Sequence, residues 1–326
     1  MIVTVTMNPS TDRTVLLENR LERGDVQRAV STREDPGGKG VNVARALLAS
    51  GVDATAILPG ATDDPFLGLL AAAHVPTLTV AIDGRIRSNL TITEPGGTTT
   101  KINEPGPTLD EHAQAQLVEL IVATSDGADW LVLAGSLPPG VADDFYARIV
   151  RAVREGATSA PRIAVDTSGP ALIAVVEAGL ALDLIKPNAA ELAELLGSSS
   201  EAELEAGPSA AIALAQSIPA DRVRASLVTL GSVGAALVTS EGTWFARAPR
   251  VEARSTVGAG DSSLAGFLVA STEGAAPAAA LARAVASGAA AVSLPGSIVP
   301  TREQVDPSVV DVTPVGDAAD LPKELS

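Results

Sequence analysis

The chain has 326 residues, a formal net charge of −16 and no cysteine. The acidic balance argues against binding to nucleic acid or to an anionic membrane surface, and the missing thiols exclude disulfides and thiolate metal sites. Only His74 and His112 are available as histidines, and both are expected at the surface, so histidine-based acid–base catalysis is not expected.

The chain begins directly with a predicted strand over residues 2–6 rather than with a signal peptide. No stretch reaches about 18 uninterrupted apolar residues, the length that a membrane-spanning helix needs. These patterns favour a cytoplasmic protein with no membrane partner.

Short β-branched runs alternate with longer Ala- and Leu-rich segments, and several of the runs are apolar throughout, as parallel strands covered on both faces should be. Strands are predicted at 2–6, 54–58, 78–82, 130–133, 162–166, 184–186, 227–230 and 235–238. Helices are predicted at 41–50, 66–74, 110–124, 142–155, 170–178, 189–196, 209–217, 261–271 and 278–293. The alternation predicts an α/β fold with a mostly parallel sheet. The polar segment 197–207 is expected to be a surface loop, and the tail after Val310 a loose terminus.

The first strand is followed by Asn8-Pro9-Ser10-Thr11-Asp12. Polar side chains at the carboxyl end of a strand are placed where wound sheets bind ligands. Asp12 is therefore a candidate acceptor for the hydroxyl groups of a sugar, although a turn or helix cap would also explain it.

Two segments, about 13–34 and about 85–104, break the alternation of strand and helix. The second contains two runs with a period of two, joined by Glu94-Pro95-Gly96-Gly97, which is a strong hairpin signal. Together the segments predict a small antiparallel sheet that stands off the main sheet as a lid. A lid with one apolar face would also pair with a second copy and give a homodimer.

A glycine cluster, Pro36-Gly37-Gly38-Lys39-Gly40, leads into the first predicted helix and is followed by Asn42. Glycines allow a phosphate or a sugar to approach the backbone, and Lys39 supplies a positive charge. The spacing is not that of a Walker loop. The simpler interpretation is a tight turn beside a solvated lysine.

Arg87 and Lys101 lie on the two arms of the predicted hairpin. With Lys39 they form a basic set in a very acidic protein, suited to gripping a substrate phosphate. Charges that protect an edge strand are the alternative explanation.

Lys186-Pro187-Asn188-Ala189-Ala190-Glu191 ends a strand and starts a helix. Asn188 and Glu191 have the spacing of a capping box, which alone explains both residues. The functional alternative is that they hold Mg²⁺ through water. Thr229-Leu230-Gly231 also follows a strand and is a candidate for the lining of a nucleotide pocket.

Thr256-Val-Gly258-Ala259-Gly260-Asp261 precedes a helical pattern. Small residues at a helix N-terminus expose amide groups that can stabilise a phosphoryl group during its transfer, and Asp261 lies beside them. A carboxylate is too weak a base to deprotonate an alcohol in advance, so Asp261 is expected to orient the hydroxyl and accept its proton late. A simple helix cap is the alternative.

These motifs, in this order over roughly residues 1–305, resemble those of the ribokinase-type (PfkB) family of carbohydrate kinases. Gly37-Gly38-Lys39-Gly40-x-Asn42 and Thr256-Val-Gly-Ala-Gly-Asp261 match its two signatures. Asn8-Pro9-x-x-Asp12, Arg87-Ser88-Asn89, Lys101-x-Asn103 and Gly135-Ser136-Leu137-Pro138 are similar to the ketohexose-phosphate kinases of that family. Ser255 departs from the aspartate of many relatives, which leaves a monovalent-cation site uncommitted.

The resemblance implies a single domain over 1–326 with a three-layer α/β/α ribokinase-like fold, a mostly parallel sheet and an inserted β lid. It implies ATP and Mg²⁺ as cofactors, and Asp261 as the base beside an anion hole of Gly258, Ala259 and Gly260. The implied substrate-binding residues are Asp12, Gly38, Lys39, Asn42, Arg87, Asn89, Lys101, Asn103 and Ser136. The implied nucleotide-binding residues are Lys186, Asn188, Thr229, Gly231, Gly234 and Ser287, with Glu191 at the metal through water.

The activity that the resemblance implies is phosphorylation of fructose 1-phosphate to fructose 1,6-bisphosphate. Tagatose 6-phosphate and fructose 6-phosphate remain alternative substrates, because each also has a phosphate at one end and a primary hydroxyl at the other. A non-catalytic sugar-phosphate sensor is the alternative of another class. A kinase of uncharged sugars or nucleosides fits less well, since it would leave the basic set without an anionic partner.

Overall fold

The computed structural model describes residues 1–197, 204 and 207–316. The strands are β1 (Ile2–Thr6), β2 (Ser10–Leu17), β3 (Ala29–Gly37), β4 (Ala54–Pro59), β5 (Thr77–Val80), β6 (Arg87–Thr93), β7 (Thr99–Asn103), β8 (Trp130–Ala134), β9 (Arg162–Asp166), β10 (Leu184–Ile185), β11 (Ala225–Thr229), β12 (Gly234–Thr239), β13 (Gly242–Arg247) and β14 (Val312–Val315). The helices are α1 (Lys39–Ala49), α2 (Pro65–Ala72), α3 (Glu111–Ser125), α4 (Phe145–Gly156), α5 (Gly169–Glu177), α6 (Ala189–Leu196), α7 (Pro208–Gln216), α8 (Ala259–Thr272) and α9 (Pro277–Val292).

The main sheet has the strand order β14-β13-β12-β11-β10-β9-β8-β1-β4-β5. From β5 to β11 neighbouring strands are parallel, and β12, β13 and β14 add three antiparallel pairings at one edge. The predicted mostly parallel sheet is therefore confirmed. Because the carboxyl ends of the parallel strands lie along one edge of the sheet, the segments that follow them converge there.

Helices cover both faces of the main sheet and give three layers. Alternate residues of each strand point to opposite faces, so Val3 and Val5 pack with α3, α4, α5 and α6 on one side. Ile2, Ala56 and Val132 pack with α1, α2, α8 and α9 on the other. The three-layer α/β/α arrangement follows from strands that are apolar on both faces.

A second sheet has the order β3-β2-β6-β7 and forms the lid. The pairs β2–β3 and β6–β7 are antiparallel as predicted, but the central pair β2–β6 is parallel. The lid is therefore mixed, because β2 and β6 each run outward from the main sheet and β3 and β7 each run back. Its strands begin and end within a few residues of the predicted segments.

At the edge of the main sheet the sequence pattern missed β13 and β14. The expectation of a loose terminus after Val310 is wrong for β14, which pairs with β13 from Val312 to Val315. The loop expected at 197–207 lies outside the described residues apart from Gly197, which is the left-handed C-cap of α6, residue 204 and Gly207.

Within the described part of the chain, every helix is too short or too polar to cross a bilayer.

Candidate active site

The carboxyl edge of the parallel strands brings together the motifs that sequence analysis singled out. Asp166 is the last residue of β9, and Lys186 follows β10. The glycine cluster enters α1, and Asp261 lies in the first turn of α8, which packs against α1.

Asp261 is 8% exposed and lies where α8 begins. Gly258 is the N-cap in a left-handed conformation, with φ of 76°, which turns the chain into the helix. Over the described residues, the backbone N–H groups of Gly260 and Asp261 have no hydrogen-bond acceptor. Free amide donors at a helix N-terminus form an anion site, so the carboxylate and the anion site adjoin each other.

Asn42 of α1 donates a hydrogen bond of 2.9 Å from Nδ2 to Oδ2 of Asp261. Burial and the negative charge of Asp166 raise the pKa of Asp261 to about 6, although this hydrogen bond and two lysines lower it. The carboxylate is therefore a better proton acceptor than an exposed aspartate.

Lys39 and Lys186 both contact the side chain of Asp166. Lys39 Nζ lies 2.8 Å from Oδ1 and Lys186 Nζ lies 3.1 Å from Oδ2, while the Asp166 side chain has no exposed surface. Burial alone would raise the pKa of Asp166, but the two ammonium groups outweigh it and lower that pKa. The same balance holds for Lys39: burial alone would lower its pKa, but the negative charges of Asp166 and Glu191 outweigh burial and raise that pKa. Both groups are therefore charged near neutral pH.

Glu191 and Asn188 form the capping box expected from their spacing. The Asn188 side chain accepts from Glu191 N at 2.8 Å, and Glu191 Oε2 accepts from Asn188 N at 2.9 Å. Glu191 Oε1 also lies 3.3 Å from Lys39 Nζ. The cap explains both residues, and it aims the carboxylate at the same lysine that Asp166 holds.

The glycine cluster lets three parts of the chain meet closely. A Cβ on Gly37 would collide with the Asp12 carboxylate, and one on Gly40 would collide with Thr6 and the Val5 carbonyl of β1. Gly38 has φ of 105°, a conformation that favours glycine. The absence of side chains here seats α1 on β1 and brings the lid against the main sheet.

The inner face of the lid carries polar side chains in register. Asp12 accepts from Ser10 Oγ at 2.7 Å and from Asn89 Nδ2 at 3.2 Å. Burial raises the pKa of Asp12 in spite of these hydrogen bonds. Arg87 donates to the Asn8 and Glu104 carbonyls, at 3.1 and 3.2 Å. Asp12, Asn89 and Arg87 are thus held together on the surface that faces the main sheet.

The predicted basic set is not assembled as one cluster. Lys39 is engaged with Asp166 and Glu191, whereas Arg87 bonds to backbone carbonyls. Lys101 is exposed on β7, opposite Thr91, and Asn103 lies opposite Asn89 on the same face. The three cations therefore occupy different parts of the cleft.

The remaining predicted residues lie farther along the edge of the sheet. Ser136 is exposed after β8, next to Gly135, and Thr229 ends β11 in a bridge to Asn188, with Gly231 in the turn that follows. Gly234 is buried in β12, where a Cβ would strike the Ala246 carbonyl, so packing alone explains that glycine. Ser287 is 5% exposed on α9 and packs against Gly266 of α8.

Asp166 is the one buried acid of this centre that sequence analysis did not single out. The signal available was its position, since Asp166-Thr167-Ser168 ends a predicted strand at the ligand-binding edge. Its two lysine partners are 20 and 127 residues away along the chain, so the pattern gives no hint of them.

Chemically, the arrangement combines a buried carboxylate with a pKa near 6, free amide donors for an anion and two charged lysines. The inner face of the lid lies opposite these groups and carries side chains that can accept hydrogen bonds from hydroxyl groups. These are the components needed to transfer an anionic group to an alcohol.

Comparison with known proteins gives a consistent result. The profile of the pfkB family carbohydrate kinases matches residues 5–304. The 1-phosphofructokinase of Rhodobacter capsulatus is 36% identical over 84% of each chain. The ATP-dependent 6-phosphofructokinase isozyme 2 of Escherichia coli (strain K12) is 36% identical, over 80% of this chain and 82% of that protein. The crystal structure of phosphofructokinase-2 from Escherichia coli in complex with substrates and products is 32% identical and superposes with a TM-score of 0.83, covering 93% of this chain and 96% of that chain.

Proposed function

Since the chain belongs to the pfkB family of carbohydrate kinases, we propose that it transfers the γ-phosphoryl group of MgATP to the 6-hydroxyl of fructose 1-phosphate. The product would be fructose 1,6-bisphosphate. The observation that carries this proposal is the position of buried Asp261 at the start of α8, beside the backbone amides of Gly260 and Asp261, which have no acceptor in the part of the chain that the structure describes.

Asp261 acts as the base in this proposal. Its Oδ2 is held by Asn42, which leaves Oδ1 to accept a hydrogen bond from the sugar hydroxyl. With the pKa of Asp261 near 6 and that of an alcohol near 15, full deprotonation before attack would still cost roughly 12 kcal/mol. Proton transfer therefore accompanies formation of the oxygen–phosphorus bond, and the main task of Asp261 is to orient the hydroxyl.

The backbone amides at the start of α8 and the ammonium group of Lys186 stabilise the negative charge on the transferred phosphoryl group. A Cβ on Gly260 would lie 3.3 Å from Lys186 Nζ, so the ammonium group is beside the start of the helix. Donors fixed before the reaction need no reorganisation when charge shifts from the nucleotide to the product.

The lid supplies the sugar side of the site. Asp12 and Asn89 offer acceptors and donors to hydroxyl groups. Arg87 keeps a buried Nε without a partner among the described residues, and this donor favours an anion on the same face. Lys101 on β7 lies on the same face of the lid as Asn89 and Asn103, so its ammonium group can approach the phosphate of a bound substrate from that face.

ATP and Mg²⁺ fit the residues that follow β10 and β11 at the carboxyl edge of the main sheet. Mg²⁺ keeps several waters and is held mainly by substrate phosphates and one or two carboxylates, so this site needs few protein ligands. Glu191 would contact Mg²⁺ through water, because each of its oxygens keeps a second acceptor position beyond its hydrogen bond. When bound, the ion neutralises charge on the β- and γ-phosphates. Asn188, Thr229 and Gly231 line the adjoining edge for the nucleotide.

A comparison of kcat/KM for fructose 1-phosphate, fructose 6-phosphate and tagatose 6-phosphate, at saturating MgATP, tests the substrate. The proposal predicts the highest value for fructose 1-phosphate. A preference for fructose 6-phosphate would favour the second candidate, which the similarity to 6-phosphofructokinase isozyme 2 supports. The highest value with tagatose 6-phosphate would contradict both.

The alternative of a non-catalytic sensor is tested by the same assays. A sensor has no use for a base beside an anion site, so the geometry at Asp261 argues against it. Binding of sugar phosphates without any turnover of ATP would establish the sensor and refute the kinase.

We also propose that two copies pair through their lids. The outer face of the lid, opposite Asp12 and Asn89, carries a shallow groove of about 350 Å³ lined by Arg13, Val15, Ser88, Leu90, Ile102 and Glu104. Ile102 is 55% exposed. An apolar strip with charges at its rim is suited to pairing with its own copy across a two-fold axis.

A further inference from the structure

Asp166 is a buried carboxylate to which the proposed mechanism gives no task. Each of its oxygens contacts a different lysine, Lys39 at 2.8 Å and Lys186 at 3.1 Å. The backbone around it is fixed as well, since Gly135 N donates to the Asp166 carbonyl and β9 pairs with strands on both sides. Because the two oxygens of one carboxylate are a fixed distance apart, the Asp166 side chain holds the two ammonium groups at a nearly constant separation.

The two lysines belong to different sides of the site. Lys186 Nζ lies beside Gly260 at the start of α8, where the transferred group would be stabilised. Lys39 is the first residue of α1, two residues after Gly37, which lies against Asp12. Asp166 is thus the link between the nucleotide side and the sugar side of the cleft.

We propose that Asp166 is a positioning residue for phosphoryl transfer, which holds Lys39 and Lys186 on either side of the reacting group and keeps both of them off the base. The inference rests on the proposed function. It assigns to Asp166 a role that acts through the two lysines.

The second part of this role follows from the charges that face Asp261. These are Asp166 from β9, Lys39 from α1 and Lys186 from the segment after β10, while Asn42 contributes an uncharged donor. Without the Asp166 charge, Lys186 loses its carboxylate partner and can pair with Asp261, whose pKa it already lowers. An ion pair at Asp261 would stabilise its ionised form and weaken it as a proton acceptor.

The primary test is Asp166→Asn, measured as kcat against pH with both substrates saturating. Misplacing the lysines should lower kcat on the order of 10²-fold. Loss of a negative charge beside Asp261 should also move the acid limb of the profile to lower pH. Because that shift follows from the lost charge alone, the comparison with a Lys39 variant described below decides whether Asp166 acts through the lysine or has a purely structural role.

Asp183→Asn is the matched control. Asp183 forms an ion pair of the same length, 2.8 Å, with Arg224 outside the site. This variant should keep both kcat and the acid limb of the wild type.

A double-mutant comparison tests whether Asp166 acts through Lys39. In a Lys39→Met background, Asp166→Asn should lower kcat much less than it does in the wild type, because the positioned group is already gone. Equal losses in the two backgrounds would overturn the proposal. So would full recovery of kcat in Asp166→Asn at high Mg²⁺, which would make Asp166 a metal-binding group instead.

If Asp166→Asn does not fold, as shown by its thermal unfolding, Asp166→Glu replaces it. That variant keeps the charge and changes the spacing, so kcat should fall while the acid limb stays in place; an unchanged kcat would refute the inference. Turnover of sugar phosphates by the wild type tests the proposed function separately, since that measurement does not depend on any variant.

Discussion

At the scale of single residues, the chemistry depends on how few partners Asp261 has. One oxygen is bound by Asn42, and the carboxylate is almost wholly buried. Burial raises its pKa, and the same burial excludes water that would compete with the sugar hydroxyl. The residue therefore combines a raised basicity with one oxygen, Oδ1, that accepts no hydrogen bond from the described residues.

Replacing Asp261 by Asn tests this arrangement most directly. The amide keeps the shape of the side chain but cannot accept the proton, so kcat should fall by about 10²–10⁴-fold. Binding of the sugar phosphate, measured by calorimetry, should change little, because the lid residues carry it. A variant with near-normal turnover would contradict the assignment of the base.

The pH dependence of kcat gives a second test at this scale. Asp261 must be ionised to accept the proton, so activity should fall as the pH drops through about 6. A phosphate also titrates near pH 6, and Asn42→Ala separates the two causes. The hydrogen bond from Asn42 lowers the pKa of Asp261, so its loss should move the acid limb to higher pH. A limb set by the substrate phosphate would stay where it was.

At the scale of elements, the site depends on how closely α1 approaches β1. The helix starts directly after the glycine cluster, and Gly40 lies against Thr6 and the backbone of Val5. Because the neighbour is partly backbone, it cannot move aside as the end of a flexible side chain could. The seating of α1 fixes the positions of both Lys39 and Asn42.

Gly40→Ala should therefore destabilise the protein by about 1–3 kcal/mol, since the added Cβ forces α1 away from β1. Gly68→Ala in α2 is the matched control, because a Cβ there would meet no atom within 4 Å. The control should be neutral or more stable by up to about 1 kcal/mol. Chemical denaturation measures both, and equal stabilities of the two variants would contradict the tight seating of α1.

Comparison of these elements with the sequence shows what patterns can predict. The parallel strands were predicted closely because their apolar runs are buried on both faces, and the glycine cluster and the α8 motif because their backbones demand small residues. In contrast, β14 includes Pro314 and lies at the sheet edge, so its pattern is weak. The contacts of Asp166 depend on tertiary packing between distant segments, which no local pattern records. The same applies to Lys39, whose position in the sequence suggested a substrate phosphate and whose structural partners are two carboxylates.

At the scale of the whole molecule, the lid has two faces with different chemistry. Polar residues face the cleft, whereas Val15, Leu90 and Ile102 line the opposite face. In-register pairing across the lid strands keeps each set on its own side. This separation makes self-association compatible with substrate binding.

Ile102→Lys should weaken the proposed lid-to-lid dimer, because it places a charge in the centre of the apolar strip. Sedimentation should show a shift towards the monomer at micromolar concentration. Leu78→Lys on β5 is the control, since Leu78 is also a partly exposed apolar residue, at 40%, but lies at the edge of the main sheet. A wild type that is monomeric, or an Ile102→Lys variant that associates as the wild type does, would contradict the proposed interface.

The return of the lid to the main sheet has a mechanical consequence. Strand β3 ends at Gly37 and α1 begins at Lys39, so Gly38, with its φ of 105°, is the only joint between them. No flexible loop absorbs movement at this point. A ligand that tilts the lid is therefore expected to rotate the first turn of α1 with it. The ammonium group of Lys39 and the side-chain amide of Asn42, which binds Asp261, would then move together with the sugar-binding side of the site.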